Sequence, residues 1–169
     1  MTTDIDKNKA DIAARAPKSA TPDPENPGWW HWSDFRPGSF ASRTGRLIFR
    51  PLHEVGHAQV RMFPDETMLN MGGSMYGGAV MSFIDLALFA GGRCCSMPEG
   101  HYVTLDCSTH FIARTRVGTP LDAFVRLVGV TPGGMVHLSG HCEQDGKATH
   151  SFTGTLKKVR EPRGDDDRG

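Results

Sequence analysis

The sequence lacks a net charge. Its 19 lysine and arginine residues balance 19 aspartate and glutamate residues, which gives a formal charge of zero at pH 7. Proteins that bind nucleic acid or an anionic membrane surface through electrostatics usually carry a basic surplus. We therefore expect neither nucleic acid nor a membrane among the partners. Hydrophobic residues make up 38% and charged residues 22% of the 169 residues, which is typical of one globular domain.

Long apolar runs and metal-binding cysteine patterns are missing as well. The longest apolar run, residues 79–90, is interrupted by Ser82 and Asp85 and is too short to cross a bilayer. The charged N-terminus does not have the apolar segment of a secretory signal. The four cysteines form no CxxC pair and no zinc-like spacing with histidine. We expect reduced, buried thiols, no metal, no cofactor and a cytoplasmic location.

The two ends of the chain differ in composition from its middle. Residues 1–28 contain almost no large apolar side chains, so burial cannot offset the entropy cost of ordering them. We predict that residues 1–28 and the acidic tail 160–169 are disordered, and that one folded domain spans residues 29–159. Four aromatic residues, the N-terminal aromatic cluster, begin this domain: Trp29, Trp30, Trp32 and Phe35. We expect them to anchor the N-terminal segment by burial.

Strand-like runs and one helix-like run alternate with turn signals in the predicted domain. The pattern predicts a helix over residues 77–94 and strands over residues 46–52, 56–63, 101–113, 121–131, 135–144 and 147–159. The dipeptide Asp145-Gly146 is a hairpin signal between the last two strands. Two strands, one long helix and an antiparallel meander indicate an α+β fold.

The predicted helix is apolar on nearly every face. A narrow line of small or polar residues interrupts it, formed by Gly78, Ser82 and Asp85 at spacings of four and three. A helix that is apolar nearly all round is buried. The sheet must therefore curve around it, or a partner must cover what the sheet leaves open. This combination predicts the hotdog fold, a curved antiparallel sheet wrapped around one long central helix.

Asp85 and the glycines before the helix are the candidate functional residues. Large apolar neighbours surround Asp85 in the sequence, and desolvation there should raise its pKa toward the range of a general base. The glycine-rich run over residues 72–78 leads into the helix N-terminus, whose free N–H groups suit a developing oxyanion. Gly77 and Asp85 are about 12 Å apart along a helix, so one site containing both needs two protomers.

These residues and their spacing resemble the hotdog-fold thioesterases, specifically the PaaI-like acyl-CoA thioesterases. That family has an asparagine, a His-Gly-Gly where the helix begins, and an aspartate eight residues after the first of these glycines. Here the corresponding residues are Asn70, Tyr76-Gly77-Gly78 and Asp85, and Thr104 matches a later hydroxyl residue on the following strand. The resemblance covers roughly residues 46–159. Tyr76 departs from the family's histidine, which puts substrate preference and rate in question.

The resemblance implies roles for these residues in hydrolysis of an acyl-CoA thioester. Asp85 would activate water or act as the nucleophile, and the Gly77 N–H would polarise the carbonyl. Asn70 would orient the water or the thioester, and Thr104 would hold the water or Asp85 from the partner chain's side. The remaining residues expected to contact substrate are Tyr76, Gly78, Ser82, Arg114 and Arg116, with the two arginines at the CoA phosphates. CoA is part of the substrate and no separate cofactor is implied.

Several alternatives remain open at this stage. A hotdog dimer that binds acyl-CoA without turnover is one, and an enoyl-thioester hydratase is another, although the hydratases need a histidine soon after the aspartate. The sequence does not separate a homodimer from a dimer of dimers. Met81, Ile84 and Leu88 either line a tunnel for the acyl chain or belong to the core, and the acyl group itself is not defined.

Overall fold

The computed structural model describes residues 14–32 and 35–160. One long helix lies on an eight-stranded sheet. The strands are β1 (Thr21–Pro22), β2 (Trp30–His31), β3 (Leu47–Pro51), β4 (His57–Met62), β5 (His101–Phe111), β6 (Leu121–Val130), β7 (Met135–Gln144) and β8 (Lys147–Val159). The helices are α1 (Phe40–Arg43) and α2 (Gly77–Cys94), with a 3-10 helix at Glu66–Met68. The α+β class is confirmed, and β3–β8 and α2 begin and end within two residues of the predicted bounds.

The sheet is antiparallel throughout and has the order β1-β2-β3-β4-β6-β7-β8-β5. The prediction of one meander after the helix is therefore wrong for β5, which pairs with β8 and not with β6. The reason is that α2 crosses the face of the sheet and delivers the chain to its far edge. The next segment returns to place β6 beside β4. Among the described residues, β5 is therefore an edge strand with one unpaired side.

The core lies between α2 and one face of the sheet. Phe83, Ile84 and Leu88 of the helix are fully buried there. Each such side chain contributes about 1.5–3 kcal/mol through removal from water. Gly91 permits close approach, because a Cβ at this position would lie only 2.6 Å from Cβ of Val125 on β6. The opposite face of the helix, with Met81 44% exposed, is not covered by the sheet.

The N-terminal aromatic cluster anchors its segment, as predicted. Trp29 is buried and its ring lies below two guanidinium groups, with Cζ of Arg50 at 4.5 Å and Cζ of Arg61 at 5.0 Å from the ring centroid. The Trp32 ring packs on Phe49 of β3 at a centroid distance of 4.7 Å. These contacts attach the chain before α1 to strands β3 and β4.

Residues 14–28 differ from the predicted disorder. Strand β1 pairs with β2, and Arg46 donates to both carboxylate oxygens of Asp23 at 2.8 Å. Burial opposes ionisation of Asp23, but hydrogen bonds from Arg46 and Asn26 outweigh it and lower the pKa of this carboxyl to about 2. Polar pairing thus orders a segment that is poor in apolar side chains. The disorder predicted for residues 1–13 and 161–169 lies outside the described residues.

Candidate active site

Asp85 lies on the face of α2 that the sheet leaves open. Its carboxylate is half-buried, and the Thr104 hydroxyl of β5 donates to its Oδ1 at 2.7 Å. Both residues belong to the same chain, so the expectation that Thr104 reaches the site from the partner's side is wrong. The reason is that β5 occupies the sheet edge next to α2. The hydrogen bond fixes one carboxylate oxygen and leaves the other available for a ligand.

A cavity of about 340 Å³ opens beside this carboxylate, and we call it the Asp85 cavity. Ser82 and Leu86 of α2 line it together with Phe40 of α1 and Cys107 of β5. Burial raises the pKa of the Cys107 thiol, and the negative charge of Asp85 raises it further. A thiol in this state is a poor nucleophile at neutral pH. Asp85 is therefore the reactive group that this cavity offers.

The N-terminus of α2 presents free hydrogen-bond donors. Tyr76 is the N-cap residue and its side chain makes no capping hydrogen bond. The N–H groups of Ala79 and Val80 donate to the Tyr76 carbonyl, whereas those of Gly77 and Gly78 have no acceptor among the described residues. Free N–H groups at a helix N-terminus attract an anion or a polarised carbonyl oxygen. This end of α2 is therefore chemically suited to the oxyanion role predicted for Gly77.

The Tyr76 side chain is 60% exposed and lies over the helix start. A Cβ built at Gly78 would come within 2.5 Å of Cε1 of this ring, so glycine at position 78 makes room for it. Ser82 turns its hydroxyl to the Gly78 carbonyl at 2.8 Å, within the helix. Its exposure leaves the Tyr76 side chain open to a ligand, which agrees with its expected place among the substrate contacts.

Asn70 shapes the loop that leads into α2. Its Oδ1 accepts from the Gly72 and Ser74 N–H groups, at 2.8 and 3.2 Å. Its Nδ2 donates to the Ser74 hydroxyl at 3.0 Å and the Met75 carbonyl at 3.3 Å. The side chain is thus engaged within its own loop. It borders the cavity next to Gly77, where it sets the path of the backbone.

The two predicted phosphate-binding arginines differ in their surroundings. Arg116 is paired with Asp145, and Gln144 receives the Arg116 N–H at 2.8 Å. Arg114 is exposed and forms no ion pair with a described residue. A groove of about 470 Å³ joins Arg114 to Lys147 at the start of β8. Sequence reasoning missed Lys147, because a lysine after a DG turn is most often only solvated.

His150 and Phe111 also border the Gly77 end of the helix and were not predicted as site residues. A Cβ at Gly77 would lie 3.4 Å from the Phe111 ring, whose centroid is 4.9 Å from that of His150 in an edge-to-face arrangement. Burial lowers the pKa of His150, which favours its neutral form. The pairing of β5 with β8 brings these rings together, and no local signal in the sequence indicates that pairing.

The candidate residues form two separate groups within one chain. Gly77, Asn70 and Arg114 border one cavity, whereas Ser82 and Asp85 border another. The helical rise places the two groups about 12 Å apart. Within the described residues, no cluster of histidine, cysteine or acidic side chains is arranged to hold a metal ion. None of the described helices is long and apolar enough to cross a membrane.

Comparisons with known proteins place this fold. Residues 72–132 match the sequence model of the thioesterase superfamily. The Escherichia coli PaaI protein from the phenylacetic acid degradation operon has a similar structure, with 18% identity and a TM-score of 0.59 over 72% of this chain and 86% of that one. A Streptococcus mutans protein solved with acetyl-CoA bound gives 18% identity and a TM-score of 0.61, over 77% and 97% of the two chains. A conserved Pseudomonas aeruginosa protein gives 24% identity and a TM-score of 0.57, over 72% of this chain and 94% of that one. No curated protein sequence matches this chain.

The chain has the hotdog fold, as predicted from its single long helix and antiparallel sheet. The segment that matches the thioesterase superfamily contains Gly77, Asp85 and Thr104. The resemblance to the hotdog-fold thioesterases of the PaaI-like kind is therefore confirmed. At these levels of identity the structural similarity establishes the fold, and the reaction has to be argued from the site.

Proposed function

We propose that this protein hydrolyses an acyl-CoA thioester to the free acid and CoA. The observation that carries the proposal is the Asp85 carboxylate, held by Thr104 at 2.7 Å beside a cavity on an otherwise apolar helix face. A polar group that is held in a fixed orientation beside a largely apolar cavity is the arrangement typical of a ligand site. The match of residues 72–132 to the thioesterase superfamily supports the same reaction.

The mechanism assigns a chemical role to each end of α2. Water attacks the thioester carbonyl carbon, and Asp85 accepts a proton from it. The carbonyl oxygen gains negative charge, which the free N–H of Gly77 stabilises as an oxyanion donor. The carbon–sulfur bond then breaks, and the CoA thiolate leaves and takes up a proton. A direct attack by the Asp85 carboxylate, followed by hydrolysis of the mixed anhydride, uses the same groups and is the alternative route.

The separation of the two groups supports a site built across a homodimer. Gly77 and Asp85 of one chain are too far apart to act on one carbonyl. Strand β5 has 11 residues, a free edge and no fully buried side chain. An exposed edge strand of this length favours pairing with another strand. We propose that β5 of two protomers meet, which places Gly77 of one chain near Asp85 of its partner, either in a dimer or in a dimer of dimers.

The charged groove beside Gly73 and Ser74, in the loop before α2, supports an assignment for the CoA phosphates. Arg114 and Lys147 offer two cations without an acidic partner among the described residues. Arg116 was expected to share this role, but Asp145 neutralises its charge. We therefore propose Arg114 and Lys147 as the phosphate contacts. In this arrangement Asn70 supports the loop beside the thioester and does not touch the attacking water.

Release of CoA from a panel of acyl-CoAs tests the proposal, with the Asp85→Asn variant compared against wild type. Asparagine preserves the size of the side chain and removes its ability to take a proton. We expect wild type to hydrolyse at least one thioester and Asp85→Asn to lose at least about a hundredfold in kcat, equivalent to about 3 kcal/mol. A variant that keeps its activity would exclude Asp85 as the base or nucleophile.

A second candidate function is acyl-CoA binding without turnover. The observation that favours it is Tyr76, whose ring lies over Gly78 at the helix start where a carbonyl has to approach. Tyr76 also stands where the resembled family has a histidine, and a phenol is a weaker base than an imidazole. Calorimetric binding of CoA esters by wild type, together with no hydrolysis of any of them, would establish this second function in place of the first.

A further inference from the structure

We infer that α1 and the exposed face of α2 form a binding pocket for an apolar acyl group, with Phe40 as its outer wall. The inference rests on the proposed thioesterase function, because it assigns the acyl half of that substrate. It adds a short N-terminal helix that no motif in the sequence marks.

The geometry of the pocket follows from two adjoining cavities. The Asp85 cavity shares Phe40, Thr44 and Ser82 with a larger cavity of about 540 Å³ that extends toward the 3-10 helix. The larger cavity continues between α1 and the start of α2, past Met68 and Ala79. An acyl chain whose carbonyl lies at Asp85 can therefore extend along α2 and under Phe40. Cavities of this size fall within the range of small-molecule sites, roughly 300–1,000 Å³.

Three hydroxyl groups of this pocket, those of Thr44, Ser82 and Thr67, already donate hydrogen bonds within the protein. Thr44 donates to the Ala41 carbonyl at 2.5 Å, and Ser82 donates to the Gly78 carbonyl at 2.8 Å. Thr67 at the far end donates to the Asp65 carboxylate at 2.5 Å. With their protons committed, these hydroxyls offer no donor to an incoming group. A polar acyl group beside these three residues would lose hydration that they do not replace, which costs free energy.

The apolar surface points to a substrate longer than acetyl. Phe40 is 73% exposed and Met81 is 44% exposed, and both border the Asp85 cavity. Exposed apolar side chains that surround a concave site are typical of a ligand-binding surface. An acetyl group would fill little of the two adjoining cavities, whereas a medium-length aliphatic or an aryl acyl group would extend from the Asp85 cavity into the larger one. Arg43 is the exposed cation at the rim of the larger cavity.

The same geometry separates the three helix residues that sequence reasoning left open. Ile84 and Leu88 are fully buried in the core between α2 and the sheet. Met81 alone borders the Asp85 cavity. Of the three, Met81 therefore belongs to the acyl pocket and the other two do not.

The test compares wild type with two variants. Phe40→Ala removes the outer wall of the pocket, and Ala41→Leu narrows the cavity beside that wall. Val55→Ala is the matched control, because Val55 is 72% exposed and lies in the turn between β3 and β4, outside the site. For each variant kcat/KM is measured with acetyl-, octanoyl-, benzoyl- and succinyl-CoA. Affinity for octyl-CoA, a thioether that cannot be hydrolysed, is measured against free CoA by calorimetry.

We expect wild type to prefer octanoyl- or benzoyl-CoA to acetyl- and succinyl-CoA. Phe40→Ala and Ala41→Leu should each reduce that preference about tenfold, because hydrolysis of octanoyl- and benzoyl-CoA should fall more than hydrolysis of acetyl-CoA. Both variants should also lower the affinity for octyl-CoA more than the affinity for free CoA. The ratio of kcat/KM for octanoyl-CoA to that for benzoyl-CoA shows whether the pocket prefers an aliphatic or an aryl acyl group. Val55→Ala should match wild type in every assay.

Three results would overturn the inference. One is an unchanged preference and an unchanged octyl-CoA affinity in both variants, and another is a wild-type preference for succinyl-CoA, which would assign Arg43 as a carboxylate contact. The third is a change of native mass in Phe40→Ala with equal loss on all substrates, which would make α1 a subunit contact. Absence of any hydrolysis by wild type would refute the proposed function, and the octyl-CoA affinities would still decide the pocket.

Discussion

The hydrogen bond between Thr104 and Asp85 gives the sharpest prediction. Thr104→Val keeps the shape of the side chain and removes the hydroxyl that donates to Asp85 Oδ1 at 2.7 Å. A hydrogen bond to a charged group is worth about 1.5–3 kcal/mol. If the bond holds the carboxylate in its reactive orientation, its loss should lower kcat by about ten- to a hundredfold. The fold should be unaffected, because the bond lies on the open face of α2.

Strand β5 supplies a matched control for this substitution. Thr109 lies on the same strand, and its buried hydroxyl lies beside the Cys107 thiol and makes no hydrogen bond to Asp85. Thr109→Val therefore makes the same chemical change without removing a hydrogen bond to the carboxylate, and kcat should stay within about twofold of wild type. Thr104→Ser, which restores the hydroxyl, should recover most of the activity.

The assay is steady-state release of CoA at saturating substrate, with native mass measured for each variant. A Thr104→Val protein that is folded, has the wild-type mass and retains its kcat would refute the positioning role. Equal losses in Thr104→Val and Thr109→Val would also refute it, because strand packing or dimer pairing would then explain both.

Two further predictions concern stability. The Asp23 carboxyl has its pKa lowered to about 2, so its ionised form stabilises the fold fully above the ordinary value of 3.8 and loses this effect as pH falls toward 2. In Asp23→Asn, the urea midpoint of unfolding should therefore depend less on pH over that range than in wild type. An unchanged pH dependence would contradict the Arg46 pairing. Gly91→Ala should lower the free energy of unfolding by about 1–3 kcal/mol, because the new Cβ would lie 2.6 Å from Val125, whereas Gly129→Ala, with open space around it, should cost less than about 1 kcal/mol.

The local pattern of the sequence determined the secondary structure and the hotdog class. Helix α2 and the strands β3–β8 follow from residue periodicity and from turn signals such as Asp145-Gly146, where both residues adopt positive φ as a tight hairpin requires. The same pattern marked Asp85 as an isolated carboxylate on an apolar helix. The fixed rise of a helix then separated Asp85 from Gly77, which is the physical reason to expect two protomers in one site.

Only the tertiary structure decided which residues meet across long stretches of chain. The position of β5 at the far edge of the sheet brings Thr104 to Asp85 of its own chain and Phe111 to His150. The order of residues 14–28 depends on an ion pair between Asp23 and Arg46, which hydrophobic periodicity does not register. The position of Phe40 at the Asp85 cavity is likewise a contact between residues that are far apart in the sequence. Pairings of this kind depend on the path of the whole chain, whereas periodicity reports only a residue's near neighbours.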